Sequence, residues 1–407
     1  MHHIQGLQCV SCGKEYEQKG MQYICPSCRG NLEVVYDYQA IAKTLTRKSL
    51  SADPNFSVWR YWDLYPLSDR KNIMPLQVGW TPLYRAARLE KKLGLKTLFI
   101  KDDGRMPSAS FKDRASSVAV AKALELKFKV IAGASTGNAA SSTACLCASI
   151  GISPIIFVPK TAPRAKVAQL LVFGARVFAV EGTYDMAFDL CGEACAEYGW
   201  YNRNTGYNPY TREGKKSVSF EICEQLGWKV PDLVFVPVGD GNIISGVWKG
   251  FKDLLGVGLI DRLPRLVACQ SSLSNAVAKA VLSDGKIRTV SATTIADSIS
   301  VDLPRDGEAA VKAVKESKGT AVTASDEEIL QAIITIARGA GVFAEPAGST
   351  AYACLEKARA AGKVKDNETV VCLVTGNGLK DVASAMKVAG EPTPVQPKLD
   401  ALKKILS

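Results

Sequence analysis

Between about residue 95 and residue 375, short apolar runs alternate with stretches of helical periodicity, and this pattern restricts the fold more than any other feature. The runs are T-L-F-I-K, V-I-A-G-A, P-I-I-F-V and A-R-V-F-A-V, followed by L-V-F-V-P-V (233–238), R-L-V-A-C-Q (265–270) and V-V-C-L-V-T (370–375). Strands alternating with helices predict an α/β chain with parallel sheets. Four strands in the first group and a second group after residue 230 predict two sheet domains sharing a cleft. Helices are expected at 325–338, opened by the N-cap and acidic first turn of S-D-E-E, and at 345–361. Near the C-terminus, E-P-T-P-V-Q-P reads as an extended spacer, and Leu399, Leu402 and Leu406 as a helical stripe that docks on the body.

Histidine is nearly absent: His2 and His3 are the only two in 407 residues. That excludes Ser-His-Asp and Cys-His catalysis and any His-ligated metal site within the fold. Proton transfer near neutral pH is left to Lys, Cys, Tyr or a carboxylate. The net charge of +11 comes from 51 Lys and Arg interleaved with 40 Asp and Glu, which favours small anionic ligands over nucleic acid. No apolar run reaches the roughly 20 residues that span a bilayer, and no basic-then-apolar leader opens the chain, so a cytoplasmic protein away from the membrane is expected.

Four of the twelve cysteines form a pattern, while the other eight are scattered in apolar segments, where a thiol acts as a small hydrophobe. Cys9, Cys12, Cys25 and Cys28 make two C-x-x-C knuckles at zinc-ribbon spacing. Four thiolates would close a tetrahedral site and leave no position for catalysis, so a zinc there would be structural. A ribbon that has lost its metal is the alternative.

Four loops at strand ends carry the chemistry. S-A-S-F-K-D-R (108–114) places Lys112 at a helix tip, where the dipole disfavours a second positive charge and tunes the amine towards imine formation. The plain alternative is a solvated lysine between Asp113 and Arg114. S-T-G-N-A offers the backbone N–H groups of a helix-opening turn to a carboxylate, and the Asn138 amide to a phenolic oxygen; alone, a helix N-cap turn explains the segment equally well. Gly239, Asp240, Gly241, Asn242 and Ile243 form a glycine-bearing turn suited to phosphate, although Asp240 is uncomfortable beside a dianion. Its spacing matches neither the dinucleotide fingerprint nor the Walker pattern. T-G-N-G-L-K-D ends a strand with Thr375, whose hydroxyl can bond a ring nitrogen without forcing its protonation. Together the four describe a planar, phosphorylated aldehyde cofactor.

S-F-K-D-R, S-T-G-N-A, V-G-D-G-N-I-I-S-G and T-G-N-G-L-K-D, in this order, resemble the threonine synthases of the tryptophan-synthase-like, fold type II pyridoxal-phosphate family. The likeness covers roughly residues 40–390. It implies Lys112 as the imine lysine, Asn138 on the ring hydroxyl, Gly239 to Ile243 on the cofactor phosphate, Thr375 on the ring nitrogen, and the N–H groups of Ser135, Thr136 and Ala139 on the substrate carboxylate. It also implies a homodimer and conversion of O-phosphohomoserine and water to threonine and phosphate. Five parts are expected: a ribbon-like segment (1–40), a large domain in two pieces (41–105 and 215–390), a small domain (106–214) and a tail helix (391–407).

The phosphorylated amino-acid substrate needs a second anion pocket, and residues 204–217 supply three cations and several amides. Asn208, Arg212 and Lys215 are the candidates. The family's N-P-x-R is altered here, because Thr211 stands where the arginine is expected and Arg212 follows it. A serine or threonine dehydratase, or a β-replacing enzyme of the same fold, would need no such pocket. A zinc-ribbon protein binding nucleic acid would need aromatics among its basic residues, and none cluster so.

Overall fold

Val- and Ile-rich runs bounded by glycine, proline and polar turns give central strands buried on both faces, such as Ile155–Pro159 and Leu233–Pro237, as parallel sheets require, while the edge strand Arg176–Val180 is mostly exposed. The computed structural model describes residues 3–406 except 136 and 163. Three strands, β1 (Ile4–Cys9), β2 (Glu15–Tyr16) and β3 (Leu32–Tyr36), form an antiparallel ribbon in the order β2-β1-β3. The chain then lays down β4 (Leu83–Arg85) and β5 (Thr97–Asp102) and crosses to a second body. There β6 (Ile131–Ala134), β7 (Ile155–Pro159), β8 (Arg176–Val180) and β9 (Tyr201–Asn202) form a parallel sheet in the order β8-β7-β6-β9. On return, β10 (Leu233–Pro237), β11 (Arg265–Ser271), β12 (Thr320–Ala324) and β13 (Thr369–Val374) join the first two strands. The larger sheet reads β12-β11-β10-β13-β5-β4, parallel except at β4.

Two sheets were expected, but the grouping of strands differs by one. T-L-F-I-K, counted with the first group, is β5 and pairs with β13, more than 260 residues later in the chain. The fourth strand of the smaller sheet is instead the two-residue β9, too short to show periodicity.

Helix Lys112–Glu125 carries the chain out of the larger sheet and helix Tyr210–Lys215 brings it back. The two are pressed together so closely that a Cβ on Gly214 would overlap the carbonyl oxygen of Arg114. Helix Asp326–Ala340 is closed by a capping box between Ser325 and Glu328, as S-D-E-E predicts.

The tail behaves otherwise than expected. Helix Leu399–Leu406 forms, but Leu399, Leu402 and Leu406 are 66%, 42% and 76% exposed and no residue of the helix is buried. The proline-rich spacer before it is exposed throughout and holds the stripe away from the body instead of docking it. The eight cysteines outside the ribbon are all buried free thiols. Among the described residues no helix is long and apolar enough to cross a membrane.

Candidate active site

Lys112 is fixed by its neighbours before its own amine does anything. Ala109 takes a left-handed φ of 61°, which swings the following residues back beside β13. Ser110 then bridges to Gly376, and the Phe111 N–H donates to the Thr375 carbonyl at 2.9 Å. Asp113 does not face water: it accepts from the Ser108 N–H at 2.7 Å and the Ser108 hydroxyl at 2.5 Å. Arg114 is likewise buried, paired with Asp103 at 2.6 Å and Glu221 at 2.5 Å. The charges flanking Lys112 are therefore structural clamps, and the reading of a solvated cluster is set aside.

The Lys112 amine makes no ion pair or hydrogen bond among the described residues and lines a cavity of about 490 Å³. Burial pushes it below the ordinary lysine range; Arg203 and Lys380 add to that shift, and Glu345 and Asp240 oppose it. Burial is the first cause of the shift, and Lys112 opens helix Lys112–Glu125, at the helix tip expected from sequence.

Ser135, Asn138 and Ala139 line the same cavity, at the end of β6 and the start of helix Asn138–Ala148, whose N-terminus has no side-chain cap. Thr136 lies outside the described residues. Asn138 donates from its amide to Glu345 at 2.7 Å. Glu345, absent from the candidates drawn from sequence, is 4% exposed and touches Gly376. It falls at the first position of the helix expected at 345–361, where nothing in the sequence marks it out.

The third loop leaves β10 and opens helix Asn242–Gly256, again without a side-chain cap. Gly241 has φ 90°, and a Cβ there would lie 2.6 Å from the Asp306 carbonyl oxygen, so only glycine fits. Gly239 is equally confined, since its Cβ would approach the Ile299 Cα to 2.9 Å. Asp240 solves the problem its charge posed. Its carboxylate accepts from the Arg305 N–H at 3.3 Å, and burial pushes its pKa up, favouring the neutral acid. Asp306 organises the loop from beneath, accepting from the Asn242 amide at 2.8 Å and the Ser245 hydroxyl at 2.7 Å.

Of the three residues expected to hold a second anion, the structure brings one into the cavity. Lys215 lines it and donates to the Asn242 side-chain oxygen. Asn208 is turned inward, bonding the Asn202 carbonyl and the Tyr210 N–H, both at 2.9 Å. Arg212 is spent on Asp306 at 2.5 Å, with Glu33 of the ribbon 3.7 Å away. Thr375 is buried beside Gly348 at the end of β13, outside the cavity lining. Arg203, which the sequence reading passed over, does line the cavity.

The ribbon brings Cys9, Cys12, Cys25 and Cys28 together with all four sulfurs within 4.8 Å of one another. The Cys9–Cys28 and Cys12–Cys25 separations are 3.4 and 3.8 Å. Four thiolates at zinc distance around one ion stand about 3.8 Å apart, so the set fits a tetrahedral metal.

With this geometry in place, similarity to known proteins decides the family. The description "Pyridoxal-phosphate dependent enzyme" matches residues 74–376. The threonine synthase of Methanocaldococcus jannaschii is 38% identical over 402 residues, 98% of either chain. That of Methanosarcina acetivorans is 38% identical over 403 residues, with the same coverage. The chain belongs to the threonine synthases. The threonine synthase of Mycobacterium tuberculosis is 37% identical over 340 residues, 83% of this chain and 92% of that one. Solved structures share the fold: maize serine racemase has a TM-score of 0.65 at 24% identity, covering 73% of this chain and 88% of that one. Tomato (Solanum lycopersicum) threonine deaminase isoform 2 has a TM-score of 0.63 at 22% identity, covering 80% and 82%.

The threonine synthase cleft fits the family's cofactor. Lys112, Arg203 and Lys215 line it without a carboxylate in ion-pair range among the described residues, and a glycine-led helix opens into it without a side-chain cap. Such a set calls for a phosphorylated ligand.

Proposed function

We propose that the cleft converts O-phosphohomoserine and water to L-threonine and phosphate, with Lys112 as the covalent anchor of pyridoxal phosphate and the principal proton carrier. One observation carries the reading: the Lys112 amine faces the cavity unpaired and lowered in pKa, beside a glycine loop built for phosphate. When bound, the cofactor supplies an aldehyde that joins an amine and a ring that accepts charge from Cα.

The chain's own residues do the rest. Backbone N–H groups of Gly239 to Ile243 and the Lys215 ammonium hold the cofactor's phosphate, because Lys215 is already bonded to Asn242 of that loop. Asn138, oriented by Glu345, meets the ring hydroxyl, whereas Thr375, outside the cavity lining, has its role on the ring nitrogen from the family resemblance alone. N–H groups of Thr136 and Ala139 hold the substrate carboxylate, without the Ser135 N–H expected from sequence, because the Phe157 carbonyl takes that one at 3.2 Å. Lys112 Nζ, whose burial favours the neutral amine, takes the Cα proton and then moves the Cβ proton. Asn208 and Arg212 leave the substrate's phosphate to other residues, because their polar groups are committed elsewhere. Zinc held by Cys9, Cys12, Cys25 and Cys28 stabilises the ribbon. The division at residues 40, 105, 214 and 390, a cytoplasmic location and a homodimer belong to the same proposal.

Product analysis tests it. Incubated with O-phosphohomoserine, the holoenzyme is expected to release phosphate and threonine without 2-oxobutyrate, and Lys112→Ala to be colourless and inactive. Borohydride trapping that labels a different lysine rules the assignment out.

A further inference from the structure

The cavity lining includes four basic side chains, and three of them are already engaged or assigned. Lys112 is the proposed anchor. Lys215 bonds Asn242 of the cofactor loop. Arg305 is paired with Asp185 at 2.7 Å and lies over the Phe188 ring at 5.0 Å. Arg203 remains. It follows β9, is 3% exposed, and has no carboxylate in ion-pair range among the described residues. Nη1 donates to the Thr205 hydroxyl at 2.9 Å and Nη2 to the Ser116 hydroxyl at 3.0 Å, while Nε is buried without a partner. Two neutral hydroxyls orient the fork and leave its charge unanswered. Burial lowers the guanidinium to about 10, a mark of what that isolation costs.

A buried arginine without an acid is costly to keep unless a ligand brings the missing charge. The place where the family carries its N-P-x-R arginine holds Thr211, whose hydroxyl bonds the Asn208 carbonyl at 2.8 Å. We propose that Arg203, steadied by Ser116 and Thr205, binds the γ-phosphate of the substrate and takes over the part of the arginine missing at 211. This rests on the reading of the cleft as a phosphohomoserine site and names the residue that selects for the phosphorylated substrate.

The holoenzyme and its Arg203→Gln and Arg203→Lys variants test the assignment through the KM for O-phosphohomoserine and the affinity for inorganic phosphate, the latter read from cofactor absorbance. A hydrogen-bonded ion pair of this kind is worth about 10- to 100-fold in binding. Arg203→Gln is expected to weaken both constants by that factor with cofactor affinity retained, and Arg203→Lys to recover part of the loss. An unchanged phosphate affinity in Arg203→Gln overturns the proposal. So does a loss of cofactor affinity with an unchanged substrate KM, which would assign Arg203 to the cofactor's phosphate. If the wild type releases no phosphate from O-phosphohomoserine, the reaction assignment fails, whereas the inorganic-phosphate titration still reports on Arg203.

Discussion

Asn31 of the ribbon donates its side-chain amide to Asp306 at 2.8 Å, and the other oxygen of that carboxylate receives Asn242 and Ser245 from the start of the phosphate-loop helix. Ribbon and cofactor loop thus share one buried carboxylate. Losing a hydrogen bond to a charged group costs about 1.5–3 kcal/mol. Asn31→Ala is expected to weaken cofactor binding by roughly tenfold, within that range, while metal content stays the same. Titrating apoenzyme with pyridoxal phosphate checks this; equal affinities in variant and wild type would show that the two regions are uncoupled.

Gly241→Ala attacks the loop directly. A side chain at φ 90° is strained, and its Cβ would meet the Asp306 carbonyl oxygen at 2.6 Å. Backbone strain of this kind costs about 1–3 kcal/mol. The variant is expected to melt lower and to purify without the cofactor's visible absorbance, and a yellow protein of normal stability would contradict it.

Acid stability depends on a group far from the chemistry. Glu221 is buried between Arg114 and Lys101; burial alone would raise its carboxyl, but the two cations overcome that and hold it at about 2. Its folded value lies below the unfolded one of about 4.3. The stability it contributes is therefore complete above that unfolded value and lost as pH falls towards 2. Glu221→Gln is expected to cost about 3–5 kcal/mol at neutral pH, because it leaves the buried Lys101 without a carboxylate, while Arg114 keeps Asp103. It should also flatten the dependence of melting temperature on pH below the unfolded value. Melts of both proteins across that window decide the matter, and parallel curves would refute it.

Deleting residues 391–407 is expected to leave the melting temperature nearly unchanged, since the tail helix buries no residue. Surface changes of this kind stay within about 0.5 kcal/mol. A drop of several degrees would mean that the Leu399 stripe is covered in solution.

The candidate loops stand out in the sequence as a set, because four of them follow apolar strands in one chain, whereas each alone reads equally well as a turn or a helix cap. What failed to show in sequence depends on partners far along the chain. Arg212 reads as a phosphate ligand until Asp306 and Glu33 are seen to claim it. Glu345 is only the first residue of an expected helix until the fold sets it against Asn138, 207 positions away. Arg203 sits beside a two-residue strand with no periodicity, and only the absence of an acid around it gives it meaning. The tail stripe had the right spacing for burial, but spacing cannot tell whether a surface waits to receive it.

The outward and homeward passages of the chain meet where Gly214 presses on the Arg114 carbonyl, with no room for a methyl group. Even the smallest side chain at 214 would drive helix Tyr210–Lys215 away from helix Lys112–Glu125. The seat of Lys112, two residues from the point of contact, is therefore tied to a glycine far along the chain.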